Sequence, residues 1–300
     1  MVTCAHCNEK PVSTDPRLCA SHFEQFVLDT VKEVIDRWKL LQSDTKVIVA
    51  VSGGKDSLTA LFTLKKLGYS VTGLFVDEGI GSYRDDSRED LITFCTNNNI
   101  DFKEISFKEE FGFTLDEAVA TQEYHPCTIC GTLRRYLLNK YAREHDVIAT
   151  GHNLDDESQT IMMNLLRANT DLFSRSGPKT NPSQWFTQKI KPLYLLTEDQ
   201  ILTYTQIKRI RTRRSGCPYS KLSYRAALRQ ELNKYAVNHR KTKRNIIESY
   251  AKLLSHMNNT DQNVFSEGIF ACQSCGQASN ERICKACKIQ EDIKAKLKGA

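Results

Sequence analysis

Lys46-Val47-Ile48-Val49-Ala50-Val51-Ser52-Gly53-Gly54-Lys55-Asp56-Ser57-Leu58 is the stretch that decides the fold. Its first six residues form a short β-branched run, the pattern of a buried strand. A glycine-rich turn follows at once, and positions 58–67 then take up helical spacing. Strand, glycine turn and helix in that order form an anion cradle, because backbone N–H groups and the helix dipole converge on the turn. Gly53 and Gly54 let the backbone approach the anion closely. Lys55 adds a point charge, and Ser52 and Ser57 add hydroxyl donors. The spacing is not G-x-x-x-x-G-K-[ST], so this is not the loop of γ-phosphate-cleaving NTPases. A plain glycine turn with a chance lysine is the bland alternative. The flanking strand and helix speak against it.

Working outward, the alternation continues. Strands are expected over 70–76, 100–107, 147–149 and 189–195, and helices over 82–98, 131–144, 155–167 and 198–210. Such repetition implies an α/β fold with a parallel sheet covered by helices on both faces. Positions 168–188 are polar, hold Gly177, Pro178 and Pro182, and read as a loop. Upstream, Phe23, Val27, Val31, Trp38 and Leu41 mark a helix. Downstream, Tyr224, Leu228, Leu232 and Tyr235 share one face of another, with Arg225 and Arg229 off that face.

With 40% hydrophobic residues and no apolar run near the roughly 18 that span a bilayer, the chain reads as a folded, non-membrane protein. Its first residues lack a secretory apolar stretch, so a cytoplasmic location is expected. The net charge of +6 hides a contrast: 205–244 hold 13 Lys plus Arg against Glu231 alone, while the rest of the chain is net negative. A solvated helix face or a polyanion contact explains such a segment, and the size of the contrast favours nucleic acid.

Eleven cysteines in a reducing compartment also need a reason. Cys272-x2-Cys275-x8-Cys284-x2-Cys287 has the spacing of a Cys₄ zinc ribbon, and Cys4-x2-Cys7-x11-Cys19-x2-His22 that of a Cys₃His site. Both read as structural, because such short modules cannot fold on apolar burial alone. His6 is a bystander, and Cys95 packs as a small apolar residue. Cys127 and Cys130 stand mid-chain, with Cys217 87 residues beyond Cys130. Three thiols allow a third zinc completed by His125 or His152, a redox dithiol, or an iron–sulfur cluster with one open iron. Spacing does not separate these.

Ser52–Ser57 resembles the PP-loop of ATP pyrophosphatases, which cleave ATP between the α and β phosphates to adenylate a substrate. Gly151-His152-Asn153-Leu154-Asp155-Asp156 resembles the second signature of that superfamily. Acids there could simply complement a helix dipole, but at a strand C-terminus they point into the ligand crevice. Pro126-Cys127-Thr128-Ile129-Cys130-Gly131, Arg134-Arg135 and Cys217-Pro218 are similar to the PP-loop tRNA 2-thiouridine synthetases with two zinc fingers. Both end modules and Val76-Asp77-Glu78-Gly79-Ile80-Gly81 occur in that family's order, so the resemblance covers essentially the whole chain.

The resemblance implies a Rossmann-like PP-loop domain flanked by zinc-binding modules. Ala50, Ser52, Gly53, Gly54, Lys55, Asp56, Ser57, Val76, Arg134 and Gly151 would surround ATP. Lys55, Asp56 and Asp156, assisted by Arg134, would be catalytic, with Mg²⁺ on the phosphates. Cys127, Cys130 and Cys217 would hold a [4Fe–4S] cluster, and the two end modules Zn²⁺. The expected activity is tRNA uridine 2-sulfurtransfer: ATP adenylates the C2 oxygen, and sulfur then replaces it. Sulfide, a persulfide or a ubiquitin-like thiocarboxylate carrier would be the donor. A thermophile branch of the family carries lysine where Arg134 aligns. Arginine is closer to the wobble branch, which favours position 34 over 54.

The expected domains are 1–42, 43–222, a basic helical region at 223–265 and a ribbon at 266–300. The oligomeric state stays open, a homodimer among the options. A tRNA cytidine thiolase or lysidine-type ligase would share the loop, but the first lacks both zinc modules and the second the cysteine trio. A non-catalytic, metal-stabilised RNA-binding protein would not need Lys55, Asp56 and Asp156 together.

Overall fold

In a computed structural model, the β-branched runs assemble into one five-stranded parallel sheet. Residues 2–174, 176–181, 183–212, 216–219, 224–257 and 268–299 are described. The chain opens with a small hairpin, β1 (Ser13–Thr14) and β2 (Arg17–Leu18), and then α1 (Ala20–Trp38). The sheet follows as β3 (Lys46–Val51), α2 (Lys55–Lys66), β4 (Ser70–Asp77), α3 (Gly81–Asn98) and β5 (Asp101–Ser106). Next come α4 (Phe107–Phe111), α5 (Leu115–Ala120), α6 (Pro126–Tyr141), β6 (Val147–Thr150), α7 (Leu154–Leu166), α8 (Thr170–Ser174) and β7 (Gln188–Ile190). Then follow α9 (Glu198–Ile207), α10 (Tyr224–Asn238), α11 (Thr242–Met257), the hairpin β8 (Phe270–Ala271) with β9 (Ala278–Ser279), and α12 (Lys285–Lys298).

Strand order is β5-β4-β3-β6-β7, with every pairing parallel. The chain runs one way from β3 through β4 to β5, then returns to the other side of β3. The topological switch therefore lies between β3 and β6, where ligands of open α/β sheets bind outside the strand C-termini. Strand alternation divides the core. Val47, Val49 and Val51 face a layer with α1, α2, α9 and the Cys4/Cys19 module. Ile48, Leu74 and Ile148 face a layer with α5, α6 and the Cys272–Cys287 module. The two cysteine modules thus pack against opposite faces of the sheet.

Several elements depart from the sequence reading. Helix α6 starts at Pro126 rather than 131, since proline suits a first helical turn and the His125 ring accepts the Cys127 N–H at 3.3 Å. Both cysteines therefore sit on the helix. The strand expected over 189–195 ends at Ile190, before Pro192, which has no N–H for a ladder. The expected loop over 168–188 contains α8. The basic region carries a second helix, α11, anchored by buried Ile247 and by Tyr250, whose hydroxyl donates to the carbonyls of Phe173 and Ser176 at 2.6 and 3.0 Å. On α10 only Leu232 of the expected apolar face is buried. Tyr224 lies under the Arg167 guanidinium and Tyr235 stacks on His239.

Candidate active site and metal centres

The glycine loop is braced from within. Ser57 Oγ accepts the Ser52 N–H at 3.1 Å and donates to the Gly54 carbonyl at 3.0 Å. Helix α2 begins at Lys55, so its first-turn N–H groups, which lack intrahelical acceptors, open on the loop. Gly53 has φ +76°, and a Cβ there would meet the Ser87 carbonyl oxygen at 2.5 Å, so only glycine fits. Gly151 presses on the loop from β6: a Cβ there would lie 2.7 Å from the backbone of Asp56 and Ser57.

Lys55 Nζ lies 2.9 Å from both Asp56 Oδ2 and Glu198 Oε1. The other Asp56 oxygen accepts from Asn153 Nδ2 at 2.9 Å. Asn153 also caps α7, in a reciprocal box with Asp156. The sequence-predicted trio of Lys55, Asp56 and Asp156 is thus gathered across the β3/β6 switch. Burial raises the Asp156 carboxyl to about 6, partly offset by Arg225, whose guanidinium lies 3.7 Å away. Asp155 turns away from the loop: it accepts the Glu198 N–H at 2.9 Å and pairs with Lys243, clamping α9 and α11 to α7.

Two residues outside the expected set connect this crevice to the cysteines. Arg84 on α3 is buried and donates to the carbonyls of Ser52 and Val76. It pairs with Glu78 at 2.5 Å and stacks over Phe75. The other Glu78 oxygen faces Arg134 Nη1 at 3.5 Å. Glu78 stands in a stretch singled out from the sequence, but nothing local announces a buried acid shared by two arginines. Ala50 and Val76 are the penultimate residues of β3 and β4, and Val76 is buried in the core.

Cys127 and Cys130 lie one turn apart on α6, and Arg134 follows one turn later. Cys217 approaches from the chain before α10, held by its neighbour Tyr219, whose hydroxyl donates to Asp116 at 2.7 Å while its carbonyl faces Cys127 Sγ at 3.8 Å. Burial pushes the Cys130 thiol up to about 11, countered by Arg134.

The end modules are tighter. Cys4, Cys7, Cys19 and His22 form one group with all ligand atoms within 4.8 Å of one another, and Cys272, Cys275, Cys284 and Cys287 form the other. His6 stays outside, its ring 5.3 Å from that of His22. Tetrahedral thiolates about 2.3 Å from a zinc ion stand roughly 3.8 Å apart. The Cys7–Cys19 and Cys275–Cys284 sulfurs are at 3.6 and 3.8 Å. Despite desolvation, backbone N–H groups bring the Cys4 and Cys272 thiols down to about 6, the thiolate form a metal needs. Cys127, Cys130 and Cys217 do not close to such a group.

A phosphate-binding loop at the switch of a parallel sheet, with acids from the next strand end facing it, defines a PP-loop nucleotide-binding protein. The PP-loop domain model matches residues 20–236. The chain is 33% identical to the tRNA-5-methyluridine(54) 2-sulfurtransferase of Pyrococcus horikoshii, over 90% of this chain and 86% of that one. It is 30% identical to the cytoplasmic tRNA 2-thiolation protein 1 of Aspergillus niger, over 97% and 88%. The solved U34-tRNA thiolase NcsA of Methanococcus maripaludis, with its [4Fe–4S] cluster, superposes with a TM-score of 0.76 at 30% identity, covering 85% of this chain and 90% of that one. The chain belongs to the PP-loop family of tRNA 2-thiolation sulfurtransferases. Among the described residues no helix is long and apolar enough to cross a membrane.

Proposed function

We propose that this chain is an ATP-dependent tRNA uridine 2-sulfurtransferase of the cytoplasm, acting at wobble position 34. The observation that carries this reading is the link from the PP-loop to the start of α6, where Cys127 and Cys130 stand with Cys217 beside them: Arg84 under the loop, Glu78 and Arg134 form one chain of contacts. Relatives act at 34 and at 54. Arg134, where a thermophile branch has lysine, favours 34.

The loop N–H groups and Lys55 hold the phosphates, and Lys55 exchanges Asp56 and Glu198 for the anion as ATP enters. Asp56 and Asp156 would hold Mg²⁺ on those phosphates. The uridine C2 oxygen bonds to the α-phosphorus as the α–β bridging bond breaks. Charge on the departing pyrophosphate is met by Lys55 and the loop dipoles. A sulfur nucleophile then bonds to C2, and AMP leaves with the former C2 oxygen. Arg134, held by Glu78 one turn from Cys130, steadies the adenylated oxygen. A [4Fe–4S] cluster on Cys127, Cys130 and Cys217 would offer an iron free of protein thiolate, to which the sulfur to be transferred can bind. Sulfide can supply that sulfur directly; a persulfide would need a second thiol to remove its carrier sulfur as a disulfide, and a carrier thiocarboxylate a water to release its acyl group as a carboxylate. The end modules would each hold a zinc ion.

ATP–pyrophosphate exchange with tRNA tests the loop. Lys55→Ala should abolish exchange with the fold and metal content unchanged. Exchange near the wild-type rate in that variant would overturn the assignment.

A further inference from the structure

Lys55 is held from two sides. Asp56, its neighbour in the loop, and Glu198, the first residue of α9, each place a carboxylate oxygen 2.9 Å from its ammonium. Burial alone would lower the Lys55 ammonium, but the two acids outweigh it and hold it above the usual lysine range. The acids differ in what else binds them. Asp56 belongs to the loop, and its second oxygen is taken by Asn153 at 2.9 Å. Glu198 comes from another element, and its carboxylate meets no other cation among the described residues. Its backbone is fixed. Thr197 and Gln200 close a reciprocal capping box around the start of α9. Asp155, itself buried, accepts the Glu198 N–H at 2.9 Å, and the Leu154 N–H donates to the Leu196 carbonyl at 2.9 Å. Ile201 and Tyr204, farther along the helix, are fully buried. Only the Glu198 side chain is left to move, and with 42% of it exposed it stands in solvent beside the loop.

We propose that Glu198 is a positioning residue that reclaims Lys55 as pyrophosphate departs, and so sets how readily that product leaves the PP-loop. The proposal rests on the reading of Lys55 as the cation that meets the phosphates, and adds to it the group that competes for that cation. An ammonium neutralised by two carboxylates offers little to an anion, so phosphates gain Lys55 only as it gives up those partners. Asp56 travels with the loop, one residue from the lysine. Glu198 is the partner that Lys55 must leave, because its backbone is pinned to α7 and cannot follow. Once pyrophosphate is free, the Glu198 carboxylate, favoured at the N-terminus of α9 by the helix dipole, draws the ammonium back. A brace that aims Lys55 at the phosphates is the opposite role, and it predicts the opposite sign. The geometry favours competition: Glu198 contacts the ammonium itself, the group that phosphates need.

The test is calorimetric titration of the metal-loaded protein with inorganic pyrophosphate at fixed Mg²⁺, for wild type, Glu198→Gln, Lys55→Ala and the double variant. Glutamine keeps the shape of the side chain and removes its charge. Pyrophosphate should bind Glu198→Gln about fivefold more tightly, the strength of a well-formed ion pair between partly exposed partners. In the Lys55→Ala background the same change should gain less than about twofold, because what remains is repulsion through solvent, which salt screens. Steady-state thiolation should move with the same sign. In Glu198→Gln, pyrophosphate should inhibit at about fivefold lower concentration and KM for ATP should fall, with no rise in kcat. Equal or weaker pyrophosphate binding in Glu198→Gln would overturn the proposal, the weaker case marking Glu198 as a brace. So would an equal gain in both backgrounds, which would mean general repulsion rather than competition for Lys55. Wild-type protein that binds neither pyrophosphate nor ATP would break the PP-loop reading itself.

Discussion

Glu78→Gln removes one charge and almost no volume from the junction between nucleotide loop and cysteine face. Glu78 is 2% exposed, and its carboxylate is the counter-ion of Arg84, itself 4% exposed. Breaking a buried pair by removing one partner costs about 3 to 5 kcal/mol, because the other charge is left uncompensated. Arg84 keeps the carbonyls of Ser52 and Val76 as acceptors, which places the expected loss at the low end, about 3 kcal/mol. At roughly 2 °C per kcal/mol for a chain of this size, Tm should fall by about 6 °C. Scanning calorimetry of the metal-loaded protein reads that shift, and calorimetric titration reads ATP. ATP binding should weaken as well, because Arg84 braces the Ser52 carbonyl at the base of the loop. A Tm within about 1 °C of wild type, with ATP affinity unchanged, would refute the role given to this pair.

Gly151→Ala should fold but bind ATP at least about tenfold more weakly, because the new methyl group would press on the Asp56–Ser57 backbone 2.7 Å away; calorimetric titration checks this, and wild-type affinity would contradict it. In protein free of ATP and Mg²⁺, the Asp156 carboxyl should titrate with a midpoint of about 6, burial being the main cause. Arg225→Gln should move that midpoint higher, since it removes the cation that favours the carboxylate. Carbon-detected NMR of the carboxyl reads both, and a midpoint that falls in the variant would contradict the electrostatics.

The residues that decide this fold are local, and the sequence carried them well. A β-branched run, two glycines and a helix start specify the loop, because backbone geometry there depends on those residues alone. The paired ligands of the end modules are also local, since each knuckle closes over two intervening residues. What stayed hidden depends on contacts between distant segments. Glu78 reads as one more acid after a strand, and its burial between Arg84 and Arg134 follows only once α3 and α6 pack against the sheet. Glu198 lies 143 positions from Lys55, so no pattern along the chain announces their contact. Helix α6 starts five residues earlier than the sequence suggests, because Gly131 and the cysteines mask a start that Pro126 makes favourable. The apolar face expected of α10 failed for another reason: tyrosines can satisfy their rings on arginine or histidine at the surface, as Tyr224 and Tyr235 do.

The uridine 2-sulfurtransferase activity is tested most directly by mass spectrometry of nuclease-derived oligonucleotides from tRNA incubated with the anaerobically reconstituted protein, ATP, Mg²⁺ and sulfide. 2-Thiouridine should form at position 34, in step with AMP, and be absent when Cys127, Cys130 or Cys217 is alanine. AMP release without any 2-thiouridine, or full thiolation by the alanine variants, would contradict it.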